Sequence, residues 1–175
     1  MEIGRFGRSL VAEITLCKEA TDLIHGFESW VAEPYLDPIG LPTVGWGHLI
    51  IRREYEQFGV VKDGKRFRLI DPAGHALTRE QGDALFMRDL ARFLAGVDEL
   101  CQVPLSEMQF GAIVSFAFNC GLGNLRASTL RRRVNSGDHA DVPYQFSRWN
   151  KAGGRVLRGL TRRRKAEGDL YRRGS

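Results

Sequence analysis

The segment that most constrains the fold of this chain is FESWVAEPYLDPIGLPTVGWGH, which runs from Phe27 to His48. A proline has no backbone N–H to donate, and its ring clashes with the preceding turn of a helix. An α-helix is therefore excluded over most of this segment by three residues, Pro34, Pro38 and Pro42. Short alternating stretches around LPTVGWG predict a small β-hairpin instead. The chain thus bends where it carries two acids, Glu28 and Asp37.

Helices are predicted on both sides of this bend. Apolar residues recur at helical spacing from Ile14 to about Glu28, which places Glu28 at or near a helix end. Further along, Thr78 and Ser106 each precede a glutamine by three residues, and such capping boxes predict helix starts. The stretch GLTRRRKAEGDLY predicts a final basic helix.

Two turns are predicted from local composition. FGVVKDGKRFRLI is typical of a second hairpin, with Asp63 and Gly64 as its turn. NSGD predicts the end of one helix, and Asp138 is the candidate cap of the next. The expected fold class is α+β and predominantly helical. We expect an N-terminal extension over residues 1–13 and a single domain over 14–175, in which a cleft separates a small β-containing lobe (about 29–76) from a helical lobe (77–175).

The formal net charge of +5 is unevenly distributed along the chain. Residues 1–125 carry 12 Lys and Arg against 17 Asp and Glu, whereas residues 126–175 carry 14 against 4. A basic C-terminal third favours a polyanionic partner, which would be nucleic acid, an anionic cell envelope or an anionic membrane surface. Solvated helix faces would have the same composition, so charge alone leaves both interpretations open.

Composition favours neither metal binding nor membrane insertion. The three cysteines, Cys17, Cys101 and Cys120, form no CxxC pair and have no zinc-like spacing with the four histidines. We predict that they are buried, reduced thiols. Apolar runs fall short of the ~20 residues that a spanning helix needs, and no signal-peptide cleavage pattern is visible. We therefore expect no cofactor and no metal, and initial retention in a cytoplasm.

Two acids beside a cleft can divide acid and base chemistry between them. A carboxyl at a helix end next to Phe27 and Trp30 is expected to be partly desolvated, and desolvation favours the protonated form. A carboxyl on an open loop stays ionised. Glu28 and Asp37 therefore fit the acid and base of glycoside hydrolysis. Thr43 adds a hydroxyl that could hold a water molecule.

Taken singly, these residues have simpler explanations. A glutamate at a helix end is usually solvated, and an aspartate before a proline is usually a turn-former. His48 is a candidate general base, but a structural histidine paired with a carboxylate is the stronger alternative. Trp30 and Trp46 could stack on a sugar ring, although hydrophobic packing is the default explanation for tryptophan.

The combination of these residues resembles the phage-type lysozymes, the endolysins of glycoside hydrolase family 24. The family pattern is a Glu, then Tyr-x-Asp, then Gly, then Thr-x-Gly-x-Gly-His. It occurs here as Glu28, Tyr35 to Asp37, Gly40 and Thr43 to His48. The resemblance covers residues 14–172 and implies a lysozyme-like two-lobed fold. The segment Arg52 to Ala76 is longer than in many members and is expected to form part of the cleft roof.

The resemblance implies a role for each acid of the pattern. Glu28 would be the general acid that protonates the glycosidic oxygen. Asp37 would be the base or electrostatic partner of the attacking water, which Thr43 would help to hold. The implied reaction is hydrolysis, with inversion, of the β-1,4 bond between N-acetylmuramic acid and N-acetylglucosamine in bacterial peptidoglycan, causing host cell lysis. Inversion requires the two carboxyl groups to be ~6.5–9.5 Å apart.

Supporting residues and substrate contacts are also implied. His48 would pair with Asp89 on the long helix and so be structural. A basic residue following RWNKAGG would pair with Glu28, and Arg155 is the candidate, with Arg148 as the alternative. Substrate contacts are implied for four residues, Leu49, Phe118, Asn119 and Thr129.

Two other functions remain open from the sequence. The helices that carry Arg131 to Arg133 and Arg162 to Lys165 could bind nucleic acid or disrupt anionic membranes, with the fold as a carrier. Such a binding module would not need Glu28, Asp37 and Thr43 together. A lytic transglycosylase would break the same bond without water and needs a single catalytic glutamate. Because Asp37 and Thr43 serve the water, hydrolysis is the leading hypothesis.

The resemblance also implies where the protein acts. Peptidoglycan is the expected partner, and the basic C-terminal helices could in addition contact an anionic membrane surface. No specific nucleic acid is expected, and the protein is expected to be a monomer. We expect accumulation in the host bacterial cytoplasm, followed by release through a separate membrane pore protein to the periplasm and cell wall. The cysteines are not expected to form a release switch.

Overall fold

The computed structural model describes residues 16–37 and 39–175. The predicted extension over residues 1–13 lies outside the described residues. The first helix, α1, spans Lys18–Phe27, and Glu28 follows it as the C-terminal cap with an extended backbone. The predicted position of Glu28 at a helix end is therefore confirmed.

A three-stranded antiparallel sheet follows α1; it contains the predicted small hairpin around LPTVGWG and one strand more. It consists of β1 (Val31–Leu36), β2 (Pro42–Gly45) and β3 (His48–Leu49), with β2 in the middle. Pro34 lies inside β1, an edge strand whose pairing with β2 is irregular between Val31 and Tyr35. Proline is tolerated at such a place because an edge or bulged residue need not donate to the ladder.

The second predicted hairpin is present as β4 (Val60–Asp63) and β5 (Arg66–Leu69). Asp63 pairs with Arg66, so the two loop residues are Gly64 and Lys65, one position later than predicted. Gly64 has φ +58°, at the first loop position, where a type II′ turn requires glycine. Short 3₁₀ turns, Arg52–Glu54 and Pro72–His75, precede and follow this hairpin.

Helices make up most of the remaining chain. They are α2 (Arg79–Leu100), α3 (Glu107–Cys120), α4 (Leu122–Ala127), α5 (Thr129–Asn135), α6 (Val142–Ser147) and α7 (Arg158–Arg173). Between α6 and α7 the chain forms a short hairpin of β6 (Lys151–Ala152) and β7 (Arg155–Val156). None of the helices within residues 16–37 and 39–175 has the length and apolar character needed to cross a membrane.

The predicted helix caps are partly confirmed. The hydroxyl groups of Thr78 and Ser106 accept backbone N–H bonds from Gln81 and Gln109, and both glutamines reciprocate, so both capping boxes form. Asp138 does not cap the next helix: α6 begins after Asp141 and has no side-chain cap. The chain needs three more residues to turn into α6, and Asp138 instead forms an ion pair with Arg133 at 3.2 Å.

Two groups of buried apolar residues stabilise the two parts of the chain. The larger one surrounds α3, which packs against α1, α2 and α7 and buries Ala112, Ile113, Val114, Phe116 and Ala117 completely. The smaller one lies among the strands and consists of Val44, Ile50, Phe58 and Val60. The predicted mixed α+β and mainly helical fold is confirmed. The division of the chain at residue 76 into two lobes stays a prediction.

Candidate active site

A cleft of about 480 Å³ lies where the three-stranded sheet faces the helices, and Glu28 lines it. The sheet side contributes Gly47, His48, Leu49, Ile51 and Arg53. The helical side, from α2 and the end of α3, contributes Arg88, Asp89, Arg92, Phe93, Phe118 and Asn119. Three predicted substrate contacts, Leu49, Phe118 and Asn119, therefore lie together beside Glu28. Thr129 does not line this cleft but a separate depression with Arg132, Arg133 and Ser136.

The basic partner of Glu28 is Arg163, not Arg155. Arg163 Nη1 donates to Glu28 Oε1 at 2.7 Å, and the Glu28 side chain is 23% exposed. Arg155 lies exposed in β7, because the loop after α6 returns as a surface hairpin before α7 begins. The alternative, Arg148, ends α6 and donates to Gln145. The prediction of Arg155 as the partner is therefore wrong.

Arg163 is held on its other side by a second buried acid. Glu167 is fully buried, and its Oε1 lies 3.3 Å from Arg163 Nε and accepts the Ser115 hydroxyl at 2.8 Å. Its Oε2 lies 3.2 Å from Arg164 Nε. Burial raises the pKa of Glu167 to about 6, against the opposing charges of Arg164 and Arg163. We call Glu28, Ser115, Arg163, Arg164 and Glu167 the α7 network.

Arg164 extends this network to the floor of the cleft at the end of α3. Its Nη2 donates to Asn119 Oδ1 at 2.8 Å, and its Nη1 donates to Cys120 Sγ at 3.2 Å. The arginine side chain itself is completely buried. Glu28 and Asn119, both of which line the cleft, are thus connected through Arg163, Glu167 and Arg164.

A second set of ion pairs joins the sheet to α2. His48 Nδ1 lies 2.5 Å from Asp89 Oδ2, which confirms the predicted pair, and His48 Nε2 lies 3.0 Å from Glu54 Oε2. Arg88 Nη2 donates to the other oxygen of Glu54 at 2.6 Å. Neither Glu54 nor Arg88 was among the predicted site residues. We call these four residues the His48 network.

Both acids change the ionisation of the imidazole. Burial lowers the pKa of His48, but the hydrogen bonds and charges of Asp89 and Glu54 outweigh it, so that this pKa is raised. For Glu54, burial raises the pKa, but the Ile51 N–H, His48 and Arg88 together lower it below its usual value. Carboxylates thus engage both ring nitrogens of His48, as expected for a structural histidine rather than for a free general base.

Asp37 and Thr43 are linked through the turn between β1 and β2. Asp37 Oδ1 accepts the backbone N–H groups of Ile39 at 2.9 Å and Leu41 at 2.8 Å. Thr43 Oγ1 donates to the Leu41 carbonyl at 3.2 Å, and the residue is buried. The turn-forming role of Asp37 is therefore real. Neither residue is among those that line the cleft beside Glu28, so their contact with a catalytic water stays a prediction.

The two tryptophans of the opening segment, Trp30 and Trp46, pack against each other with ring centres 5.4 Å apart. Trp46 is buried between the ring of His25, stacked at 4.0 Å, and the Arg79 guanidinium, also at 4.0 Å. Its Nε1 donates to Asp83 Oδ1 at 2.6 Å. These contacts anchor the turn between β2 and β3 to α1 and α2.

The anchored turn places glycine beside the candidate acid. Gly47 has φ +86°, a left-handed conformation that other residues rarely adopt. A Cβ at this position would come within 3.6 Å of Glu28 Oε2. The glycine of the sequence pattern therefore serves both the turn and the space around Glu28.

Neither a group of metal ligands nor a disulfide is present among residues 16–37 and 39–175. No group of three or more His, Cys, Asp and Glu side chains there is arranged to hold a metal ion. The three cysteines are free. Cys101 is buried, which raises the pKa of its thiol to about 11, whereas Cys17 and Cys120 are only partly buried.

These features define a class of protein: a mainly helical α+β fold with a small antiparallel sheet and a carboxylate-bearing cleft. Comparison with known proteins gives the family. The model of the family described as phage lysozyme matches residues 25–167. The chain belongs to this family.

Individual relatives agree with this assignment. The chain is 33% identical over 145 residues to a SAR-endolysin of Bacteriophage PS119, covering 83% of this chain and 76% of that protein. It is 41% identical over 95 residues to an endolysin of Bacillus phage B103, covering 54% of this chain but only 36% of that longer protein. The solved endolysin of Escherichia coli O157:H7 phage FAHEc1 has a TM-score of 0.72 and 29% identity, with 90% and 92% of the two chains covered.

Proposed function

We propose that this protein is an endolysin that hydrolyses the β-1,4 bond between N-acetylmuramic acid and N-acetylglucosamine in bacterial peptidoglycan. The observation that carries the proposal is the position of Glu28 in the cleft. This carboxyl is mostly buried, held by Arg163 at 2.7 Å and surrounded by cleft-lining residues from both the sheet and the helices. Membership of the phage lysozyme family supports the same chemistry.

Glu28 is the general acid of the proposed reaction. Arg163 engages its Oε1, so Oε2 is the atom left to carry the proton to the glycosidic oxygen. Because Gly47 has no side chain, this oxygen keeps an open approach on the sheet side. Proton donation by a positioned carboxyl lowers the barrier because the leaving sugar departs as an alcohol rather than as an alkoxide.

Asp37 and Thr43 activate the attacking water with inversion at the sugar carbon. Both N–H bonds to Asp37 go to Oδ1, which leaves Oδ2 for the water. The Thr43 hydroxyl donates its hydrogen bond to the Leu41 carbonyl, so its lone pairs can accept a hydrogen bond from that water. Leu49 and Phe118 supply apolar contact for the substrate. The amide nitrogen of Asn119 is free to donate because its oxygen is taken by Arg164.

The alternative of a basic binding module is weakened by the burial of its arginines. Arg163 and Arg164, in the middle of the basic run of α7, are 3% and 1% exposed and are engaged by Glu28 and Glu167. Lys165 pairs with Asp169 at 2.6 Å. Half of this run therefore lies inside the fold and is not available to a polyanion. A single-glutamate transglycosylase remains the second candidate.

The first experiment compares the products that the wild type and Glu28→Gln release from purified Gram-negative peptidoglycan. The wild type should release reducing muramic acid ends, and Glu28→Gln should lose roughly 10²–10⁴-fold in rate. Glu33→Gln, the same change at an exposed position of β1, is the matched control and should keep wild-type rates. 1,6-Anhydro ends would instead establish a transglycosylase. Cleavage by Glu28→Gln at the wild-type rate would refute the assignment.

Asp37→Asn separates chemistry from turn formation, because asparagine keeps the acceptor oxygen for Ile39 and Leu41 but loses the charge. Asp37→Asn should lose on the order of 10²-fold in rate. Its free energy of unfolding should differ from that of the wild type by less than about 0.5 kcal/mol. NMR of the product before mutarotation should show that the newly formed reducing end is the α anomer, as inversion requires. Wild-type activity of Asp37→Asn would reduce Asp37 to a turn-former.

The proposed place of action is the cell wall, reached after accumulation in the host cytoplasm and release through a membrane pore protein. A relative named SAR-endolysin supports a role in host lysis. Fractionation of host cells that express the protein, with and without a co-expressed pore protein, tests the route. Lysis at the same time in both cultures would overturn the dependence on a pore.

A further inference from the structure

His25 is a partly buried histidine in the last turn of α1, three residues before Glu28, and it has no part in the reaction steps above. Its ring stacks on the indole of Trp46, with ring centres 4.0 Å apart and planes 6° from parallel. The ring of Phe86 on α2 lies 4.5 Å away in a tilted orientation. His25 thus connects α1 both to α2 and to the turn between β2 and β3.

The indole of Trp46 has a cation on its other face. The Arg79 guanidinium also lies 4.0 Å from the indole ring, and two groups cannot occupy one face at that distance. Asp83 Oδ1 accepts the Trp46 Nε1–H at 2.6 Å and lies 3.8 Å from Arg79 Nε. Because a guanidinium group keeps its proton in proteins, Trp46 lies between a permanent cation and the titratable ring of His25.

A proton on His25 is poorly accommodated in this stack. Protonation places an N–H group on both ring nitrogens, but Nε2 is buried and has no hydrogen-bond partner among the described residues. A buried donor without an acceptor is costly. Burial lowers the pKa of His25 below its usual value, and the charge of Arg79 adds to this effect. The acids that act in the opposite direction are Asp83, Asp22 and Glu28.

The stack also determines the surroundings of the candidate acid. Trp46 is buried and directly precedes Gly47, whose missing side chain leaves space at Glu28 Oε2: a Cβ there would lie 3.6 Å from this oxygen. A displacement of Trp46 therefore moves the backbone that borders the proton-donating oxygen. Because His25 and Glu28 lie within one turn of the same chain segment, the stack fixes the β2–β3 turn relative to the helix end that carries the acid.

We propose that His25 is a positioning residue: in its neutral form it holds Trp46 and the β2–β3 turn against Glu28, and its protonation releases that turn and slows the reaction in acid. The proposal rests on the proposed hydrolysis at Glu28 and adds a group that does not contact the substrate. His48 responds to a proton in the opposite way, because Asp89 and Glu54 stabilise its charged form.

The test replaces the ring of His25 by one that stacks but cannot be protonated. His25→Phe keeps a flat ring on Trp46, so its kcat/KM on soluble peptidoglycan at pH 7.5 should stay within about twofold of the wild type. Between pH 7.5 and pH 4.5 the ratio of its kcat/KM to that of the wild type should rise roughly threefold or more. A rate that needs one neutral group falls up to about tenfold for each pH unit below the pKa of that group. His25→Ala removes the stack and should be slower than His25→Phe at every pH.

Two further measurements separate positioning from a general effect of pH. His75→Phe is the matched control, since that residue does not line the cleft, and its ratio to the wild type should not change with pH. Circular dichroism at each pH restricts the comparison to folded protein. In NMR spectra of the wild type, the imidazole signals that are absent from His25→Phe or His25→Ala should titrate below the ordinary histidine pKa of about 6.5.

Either of two results would overturn the proposal. One is a ratio of His25→Phe to wild type that is constant with pH, and the other is titration of His25 at or above pH 6.5, its ordinary value being about 6.5. Failure of the proposed function is distinct: the wild type would then cleave peptidoglycan at no pH, whereas the NMR titration would still report on the stack.

Discussion

The α7 network and the His48 network approach the same cleft from different sides and differ in their exposure to water. In the α7 network the side chains of Arg163, Arg164 and Glu167 are at most 4% exposed. In the His48 network the side chains of His48 and Glu54 are each 7% exposed, but that of Arg88 is 52% exposed. Desolvated charges depend strongly on their partners, whereas exposed charges are screened. The ion pairs of the α7 network thus lie in the interior, whereas the pair of Arg88 with Glu54 lies at the rim of the cleft.

The two networks also differ in what they position. The α7 network ends at Glu28, so it fixes the candidate acid against the helical core. The His48 network ties β3 and the following 3₁₀ turn to α2, so it fixes the distance between the walls of the cleft. Loss of the first should disturb the reacting carboxyl, and loss of the second should disturb the shape of the cleft.

The largest effect is expected for Arg164→Met, which leaves Glu167 Oε2 without its cation. Removal of one partner from a buried ion pair costs about 3–5 kcal/mol. Burial already raises the pKa of Glu167 to about 6, and the loss of Arg164 raises it further. A carboxyl with a raised folded pKa loses stability as pH rises. The cost should therefore be smaller below pH 4.5, where Glu167 is protonated, and should grow as pH rises through 6.

Urea unfolding at pH 4.5 and pH 7.5 measures this cost. The matched control is Arg162→Met, the same change one residue earlier at an exposed position of α7. It should change the free energy of unfolding by less than about 1 kcal/mol. An Arg164→Met variant as stable as Arg162→Met at pH 7.5 would show that the α7 network does not stabilise the fold.

The difference between the networks also explains what could be predicted from the sequence. Local signals gave the helix end at Glu28, the capping boxes at Thr78 and Ser106, and the second hairpin. The pair of His48 with Asp89 came from the family resemblance. These features depend on short-range spacing or on a fixed pattern, and both remain visible without the three-dimensional fold.

The α7 network could not be predicted because tertiary packing decides which face of α7 is buried. The sequence from Arg162 to Lys165 does not indicate which arginines face α3. In the structure only Arg163 and Arg164 of this run are buried. The spacing of Glu167 and Tyr171, four and eight residues after Arg163, was the available signal. Glu54 was missed for a similar reason, because a 3₁₀ turn returns it to His48.

His48→Gln should have an intermediate effect with the opposite dependence on pH. The change leaves Asp89 and Glu54 without their shared imidazolium, and unsatisfied buried groups cost about 1–3 kcal/mol. The folded pKa of His48 is raised above 6.5, so the charged ring stabilises the fold below pH 6.5. That stabilisation is lost as pH rises through the folded pKa. The free energy of unfolding of His48→Gln should therefore approach that of the wild type as pH rises. For Arg164→Met, the gap from the wild type should instead widen as pH rises.

Unfolding curves of His48→Gln from pH 5 to pH 9 test this direction. His75→Gln is the control, since no carboxylate in the described residues forms an ion pair with that ring. A difference from the wild type that stays constant over this range would mean that folding does not shift the pKa of His48, because stability varies with pH only where the folded and unfolded pKa values differ.

The smallest effect is expected for Arg88→Gln, the exposed member of the His48 network. Glu54 Oε2 keeps its contacts with His48 and the Ile51 N–H, at 3.0 and 3.1 Å. Arg88 is 52% exposed, so water can replace its guanidinium at Oε1. The loss should be about 0–1 kcal/mol and should shrink between 50 and 500 mM salt, roughly as the Debye length shortens. Arg126→Gln, which breaks the exposed pair with Glu99, is the matched comparison. A salt-independent loss above about 2 kcal/mol would give Arg88 the energetics of a buried pair, and exposure would then no longer distinguish the two networks.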